Sequence, residues 1–146
     1  MPKLPIIILL VDDERDFVEM LSLRLGEEGH IVRQAYSGKE ALASLEEKEP
    51  DVVILDIKMP GMDGIETLKT IKARYPLVEV ILLTGHGAVD TAVEGLKSGA
   101  FDYLLKPADY EELLAKLEAA RQRKTEQEER IRKAEARSIM RRSGDA

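Results

Sequence analysis

Residues 6–11 (IIILLV) and the interior of residues 51–56 (DVVILD) are continuous aliphatic runs with no alternation of polar and apolar side chains. A strand exposed on one face would alternate. Both runs therefore predict strands buried on both faces, which requires helices above and below one sheet. Three further segments fit the same role: residues 30–35, more polar and so nearer an edge, residues 78–83, and residues 102–105, stopped by Lys106-Pro107. Apolar residues at helical spacing follow each run. Phe17, Met20, Leu21 and Leu25 form the first set, with Gly26 and Gly29 bracketing its stop. Ser37 with Glu40 three residues on is a capping box, opening a helix through Ala41, Leu42 and Leu45 that Pro50 ends. Ile65, Leu68 and Ile71 mark a third helix closed by Pro76, and Val89, Val93 and Leu96 a fourth. Leu113, Leu114 and Leu117 begin the last. Residues 57–64 (IKMPGMDG) and 85–87 read as turns. Five strands alternating with five helices specify an α/β fold with an open parallel sheet.

A chain of 146 residues is the size of one ordinary domain and large enough for a core without covalent staples. The absence of cysteine excludes disulfides and thiolate-held metals, and two histidines, His30 and His86, exclude a histidine-rich metal site. His30, at the far end of its strand from the polar edge described below, reads as structural. The longest apolar stretch, residues 4–11, contains Pro5 and is too short to span a membrane. Asp12-Asp13-Glu14 follows it in place of a small-residue cleavage site, which argues against a secretory signal and for a cytoplasmic protein.

The net charge of −6 is unevenly placed: residues 1–117 hold 22 acids and 13 bases, whereas residues 118–146 hold 6 acids and 9 bases. An acidic body argues against direct nucleic-acid binding by residues 1–118. From residue 119 the chain becomes rich in Arg, Lys, Glu, Gln and Ala. Glu126/Arg130, Glu128/Arg132 and Glu129/Lys133 place the acid four residues ahead of the base, the favoured helical order. This divides the chain into a domain over residues 1–118 and a charged helical extension or linker over residues 119–146. A heptad seam through Leu113, Leu117, Ala120, Lys124, Gln127, Ile131 and Ala134 is interrupted by polar residues, so helix pairing and a solvated extension both stay open.

In an open parallel sheet, ligands bind beyond the carboxyl ends of the strands. In this chain Asp12-Asp13, Asp56, Thr84 and Lys106 all fall at that edge. Singly, each has a modest reading as a helix cap, a turn residue or a surface lysine. Together, the three carboxylates repel one another and call for a cation. Oxygen ligands without His or Cys, and with room for water, suit Mg²⁺. An ammonium from Lys106 and a hydroxyl from Thr84 would complete a set suited to a phosphoryl group on a nucleophilic Asp56.

The pair Asp12-Asp13, Asp56 with Met59-Pro60-Gly61-Met62-Asp63-Gly64 behind it, Thr84-Gly85 and Lys106-Pro107 resemble the receiver domain of two-component response regulators over about residues 4–117. Residues 99–107 (GAFDYLLKP) are most similar to receivers attached to enhancer-binding, sigma-54-type transcription activators. The resemblance implies a doubly wound, flavodoxin-like sheet of order 2-1-3-4-5 with five helices, the last extended. It implies that Asp56 accepts a phosphoryl group from the phosphohistidine of a sensor histidine kinase. Asp13, Asp56 and the Lys58 carbonyl would bind Mg²⁺, with Asp12 acting through water. Thr84 and Lys106 would contact the phosphoryl oxygens, beside Gly85, which has no side chain to block the pocket. Tyr103 would be the switch aromatic, turning inward as Thr84 moves. Lys58 and His86, two residues beyond Asp56 and Thr84, occupy positions that tune phosphoryl lifetime. The Lys106-Pro107 peptide is expected to be cis. Ala108 departs from the family's usual phenylalanine, removing an anchor for the last helix.

Phosphorylation would switch the face made by the fourth helix, fifth strand and fifth helix. That face would control an output domain or protein partner, with a phosphorylation-linked homodimer as a further consequence. The only catalysis expected is the protein's own phosphorylation and dephosphorylation. Two other readings compete. A Mg²⁺-dependent phosphohydrolase using Asp56 would ordinarily carry a second acid where Lys58 stands. A phosphate-independent interaction domain would have no use for the intact acidic set with Thr84 and Lys106.

Overall fold

The computed structural model of the chain describes residues 4–58, 64–85 and 89–144. Its elements alternate strictly: β1 (Ile7–Val11), α1 (Arg15–Glu27), β2 (Ile31–Ala35), α2 (Gly38–Glu47), β3 (Val52–Leu55), α3 (Gly64–Arg74), β4 (Glu79–Thr84), α4 (Val89–Lys97), β5 (Asp102–Leu105) and α5 (Tyr110–Gly144). The strands form one five-stranded sheet in the order β2-β1-β3-β4-β5. Every neighbouring pair is parallel, with Leu10 opposite Ile54, Ile54 opposite Ile81 and Ile81 opposite Asp102.

The period of two along a strand sends alternate side chains to opposite faces. Leu9, Val11, Val53, Leu55, Val80 and Leu82 join Ala41, Leu45, Ile65, Leu68, Ile71 and Ala92 in a core on the α2–α4 side. Ile8, Leu10, Val52, Ile54, Ile81 and Leu83 join Val18, Leu21, Leu25, Leu113 and Leu117 in a second core against α1 and α5. The aliphatic runs lack alternation because both faces are covered. β2 is an edge strand, and its polar pattern follows from that position, with Ile31 half-exposed at 53%.

Local signals behave as the sequence predicts in most places. Ser37 caps α2 by accepting the Glu40 N–H at 3.1 Å, and Glu40 returns a carboxylate to the Tyr36 N–H at 3.3 Å. His30 is structural: its Nδ1 accepts the Ile6 N–H at 3.1 Å. The Lys106-Pro107 peptide is cis. Some boundaries move. Gly26 lies inside α1, and Gly29, at φ +98°, is where the chain turns out of it. α2 and α3 end at Glu47 and Arg74, short of Pro50 and Pro76. β4 starts one residue later than the pattern suggests and takes in Thr84.

α5 is a single uninterrupted helix of 35 residues, about 50 Å long. Asp109 caps it, accepting the Glu111 N–H at 2.8 Å. Its contact with the body continues past residue 118. Ala120 is fully buried, the Arg121 guanidinium donates to the Leu4 carbonyl at 2.5 Å, and Lys124 pairs with Asp51 at 3.1 Å. Arg123 pairs with Glu79 at 3.2 Å, on the other side of which Lys72 approaches to 3.1 Å. Among the described residues, no helix is long and apolar enough to cross a membrane.

Candidate functional site

The site is assembled by backbone hydrogen bonds that carry the sheet ladder one residue past the strands. The Asp12 N–H donates to the Ala35 carbonyl at 3.1 Å and the Asp56 N–H to the Val11 carbonyl at 3.0 Å. The Lys106 N–H donates to the Thr84 carbonyl at 2.8 Å. Two carboxylates, a hydroxyl and an ammonium from four strands are thereby fixed at one edge. Ile57 and the start of α3 are held closely against each other. Gly64, the first residue of α3, bonds the Ile57 carbonyl through its N–H at 3.2 Å, and a Cβ at Gly64 would collide with the Ile57 backbone.

Asp56 is buried, with 6% of its surface exposed. Its Oδ1 accepts the Thr84 hydroxyl at 2.8 Å and the Lys58 N–H at 3.1 Å. Its Oδ2 lies 3.7 Å from the Lys106 Nζ. Asp12 is also buried: its Oδ1 accepts the Glu14 N–H at 3.0 Å and its Oδ2 the Lys106 ammonium at 2.5 Å. Glu14 reaches the same ammonium at 3.2 Å, and Phe17 presents its ring 4.4 Å away. Asp13 is exposed, yet one oxygen from each of Asp12, Asp13 and Asp56 falls within 4.8 Å of the others.

The electrostatics follow from this crowding. Burial pushes the Asp12 carboxyl above the usual range, and the nearby Asp56 charge adds to the rise; the bonds from Lys106 and the Glu14 N–H oppose it without cancelling it. Burial alone would lower Lys106, but Asp12, Asp56 and Glu14 together hold it above an ordinary lysine. Three converging carboxylates with an all-oxygen donor set and one solvent-facing member fit a hard divalent cation that keeps part of its water shell.

The structure thus brings together Asp12, Asp13, Asp56, Thr84 and Lys106, with the Lys58 backbone on the rim. Gly85 is exposed beside Thr84, and space is open where a Cβ would project. Tyr103 is half-buried against the α2–α4 core, in register with Leu82. His86 and residues 59–63 lie outside the described residues. Two residues of the site were not anticipated as such. In the sequence Glu14 stands only as part of the acidic run after the first strand, and Phe17 as an apolar residue at helical spacing. Ala108 lines a small apolar cavity of about 60 Å³ with Phe17, Met20, Leu83 and Leu113. The anchoring expected of a residue there falls to Tyr110, whose hydroxyl donates to the Arg24 carbonyl at 3.1 Å under the Arg24 guanidinium, 3.8 Å from the ring centre.

Comparison with known proteins places this edge in a family. Residues 8–118 match the model of the response regulator receiver domain. Transcriptional regulatory protein ZraR of Salmonella typhimurium strain LT2 is 47% identical over 113 residues, covering 77% of this chain and 26% of that protein. The DNA-binding transcriptional regulator NtrC of the same organism is 44% identical over 114 residues, covering 78% of this chain and 24% of that one. The chain therefore spans about a quarter of the length of these curated relatives. Among solved structures, NtrX from Brucella abortus superposes with a TM-score of 0.82 at 34% identity, over 86% of this chain and 29% of that chain. With the acidic edge, Thr84 and Lys106 on the expected strands of the expected sheet, the chain belongs to the receiver-domain family of two-component response regulators.

Proposed function

We propose that the chain accepts a phosphoryl group on Asp56 from the phosphohistidine of a sensor histidine kinase. The observation that carries this reading is the environment of that one carboxylate. Its Oδ1 is held by Thr84 and the Lys58 N–H, and its Oδ2 faces the Lys106 ammonium. The held oxygen orients the group while the other attacks phosphorus. As the O–P bond forms, the P–N bond to the donor imidazole breaks and its electron pair stays on nitrogen. Lys106, already at 3.7 Å, neutralises charge growing on the phosphoryl oxygens, and Thr84 turns its hydroxyl from the carboxylate to one of them. Mg²⁺ at Asp12, Asp13, Asp56 and the Lys58 carbonyl would supply further neutralisation of that charge.

Tyr103 then has the switch role, moving further into the α2–α4 side as Thr84 shifts. Lys58 and His86 set how fast water removes the phosphoryl group. The two states differ on the face of α4, β5 and α5, where Val89, Val93 and Leu96 are partly exposed. That face acts on an output domain or partner and supports a phosphorylation-linked homodimer. Catalysis is confined to the protein's own modification, in the cytoplasm where the kinase presents its donor. Incubation with acetyl phosphate and Mg²⁺ should add one phosphoryl mass, mapped to Asp56 by borohydride trapping and absent in Asp56→Ala. A wild-type chain left unmodified, or an Asp56→Ala variant modified equally, would defeat the reading.

A further inference from the structure

We propose that Phe17 is a positioning residue for Lys106, its ring serving as the fixed support on which the ammonium changes partners. This rests on the phospho-acceptor reading above and adds a residue to it. The Lys106 Nζ has four neighbours of opposite or complementary charge: Asp12 at 2.5 Å, Glu14 at 3.2 Å, Asp56 at 3.7 Å and the Phe17 ring centre at 4.4 Å. Three of these are carboxylates that compete for the same cation. The closest pair is with Asp12, at 2.5 Å against 3.7 Å to the carboxylate that is to be modified. When a phosphoryl group arrives on Asp56, the ammonium must loosen its bond to Asp12 and face the new oxygens.

A ring face is suited to that exchange. Its attraction for a cation has no directional hydrogen bond to break, so it persists while the ammonium pivots. Phe17 is itself held in place. It sits in the first turn of α1, half-buried against the α1–α5 core, and one side of its ring lines the cavity beside Ala108. The ring that supports the ammonium comes from α1. Without it, the Asp12 pair would dominate and each exchange would cost more.

The test uses the full chain and acetyl phosphate, a donor too small to read any docking surface. Phe17→Leu keeps an apolar side chain without a π face, and Phe17→Tyr restores the face. The expected result is Asp56 phosphorylation slowed about three- to tenfold in Phe17→Leu and near wild type in Phe17→Tyr. A spectroscopic arm is independent of rate. The Lys106 ε-methylene protons should show an upfield ring-current shift in wild type and Phe17→Tyr that is lost in Phe17→Leu. If Phe17→Leu fails to fold, Phe17→Met takes its place with the same expectations. A leucine or methionine variant with wild-type rate overturns the proposal, as does equal slowing in the tyrosine variant. A wild-type chain that takes no phosphoryl group overturns the phospho-acceptor reading instead. In that event the lysine resonances alone decide whether the ring holds the ammonium.

Discussion

The buried carboxylates of Asp12 and Asp56 and the exposed one of Glu14 share a single ammonium at the sheet edge, and that balance is costly to the free protein. Asp56 is 6% exposed, crowded by Asp12 and Asp13, while the Lys106 charge that would offset it is already engaged by Asp12 at 2.5 Å. Asparagine at 56 could keep Oδ1 as acceptor for Thr84 and the Lys58 N–H while removing the charge. It relieves two repulsions and one burial penalty and loses one shared attraction, so the net change should be stabilising by about 1 kcal/mol. In chelator, Asp56→Asn is therefore expected to melt about 2–4 °C above wild type. Adding Mg²⁺ is expected to reverse the order. A cation held by the folded wild-type cluster alone would, at a hundredfold excess over its dissociation constant, contribute about 2.7 kcal/mol. Thermal denaturation with and without Mg²⁺ checks both halves. A wild type that Mg²⁺ does not stabilise, or a variant that gains equally, would show that the carboxylates do not act as a cation site.

At the scale of elements, the glycine opening α3 governs how closely that helix can approach the backbone of Ile57. A Cβ at Gly64 would meet the Ile57 backbone, and Ile57 is buried at 3% exposure between Asp56 and Lys58. Neither side can yield freely, because α3 is fixed by Ile65, Leu68 and Ile71 in the core. Gly64→Ala is expected to cost about 1–3 kcal/mol and, by displacing Lys58, to weaken beryllofluoride binding at Asp56. Gly26→Ala is the control. It lies within α1 with open space at its Cβ, so alanine there should raise the melting temperature instead. Loss of stability without loss of beryllofluoride affinity would separate the two parts of the argument. The difference between these glycines was not legible in the sequence, where both look like punctuation. The strands were, because a run such as VVIL with no polar residue has few places to go except a sheet covered on both faces. So was the gathering of Asp12, Asp56, Thr84 and Lys106, since each ends a strand on the same edge. Partners at long separation were not. Glu14 and Lys106 are 92 residues apart, and Lys124 and Asp51 are 73 apart, with no periodicity linking them. Phe17 obeys the helical period of a core residue and also faces Lys106, and a pattern registers only the first role.

At the scale of the molecule, the acidic edge with Asp56 and the helical extension lie at opposite ends of the sheet, joined by α5. The helix leaves Lys106-Pro107 at the carboxyl edge and reaches the amino edge, where Arg121, Arg123 and Lys124 meet Leu4, Glu79 and Asp51. Asp51 also accepts the Ile7 N–H at 2.9 Å, so the Lys124 contact ties the helix to both β1 and β3. We propose that the folded unit ends with this fastening, several residues beyond the point where the charge pattern changes. Ending the chain at Glu118 would remove the buried Ala120 methyl, the Arg121 bonds to the backbone and the Lys124–Asp51 pair. Burial of a methyl contributes about 0.8 kcal/mol, and each partly buried polar contact about 1 kcal/mol. A chain of residues 1–118 should then lose about 2–4 kcal/mol and melt roughly 5–15 °C below one of residues 1–125. The latter should match the full chain, because the described residues beyond it are mostly exposed. Thermal melts of the three lengths in one buffer decide the point. If residues 1–118 and 1–125 melt together, the fastening adds nothing to the fold. If they separate as expected, residues 119–125 belong to the folded unit, and α5 runs as one helix from the carboxyl edge to its fastening at the amino edge.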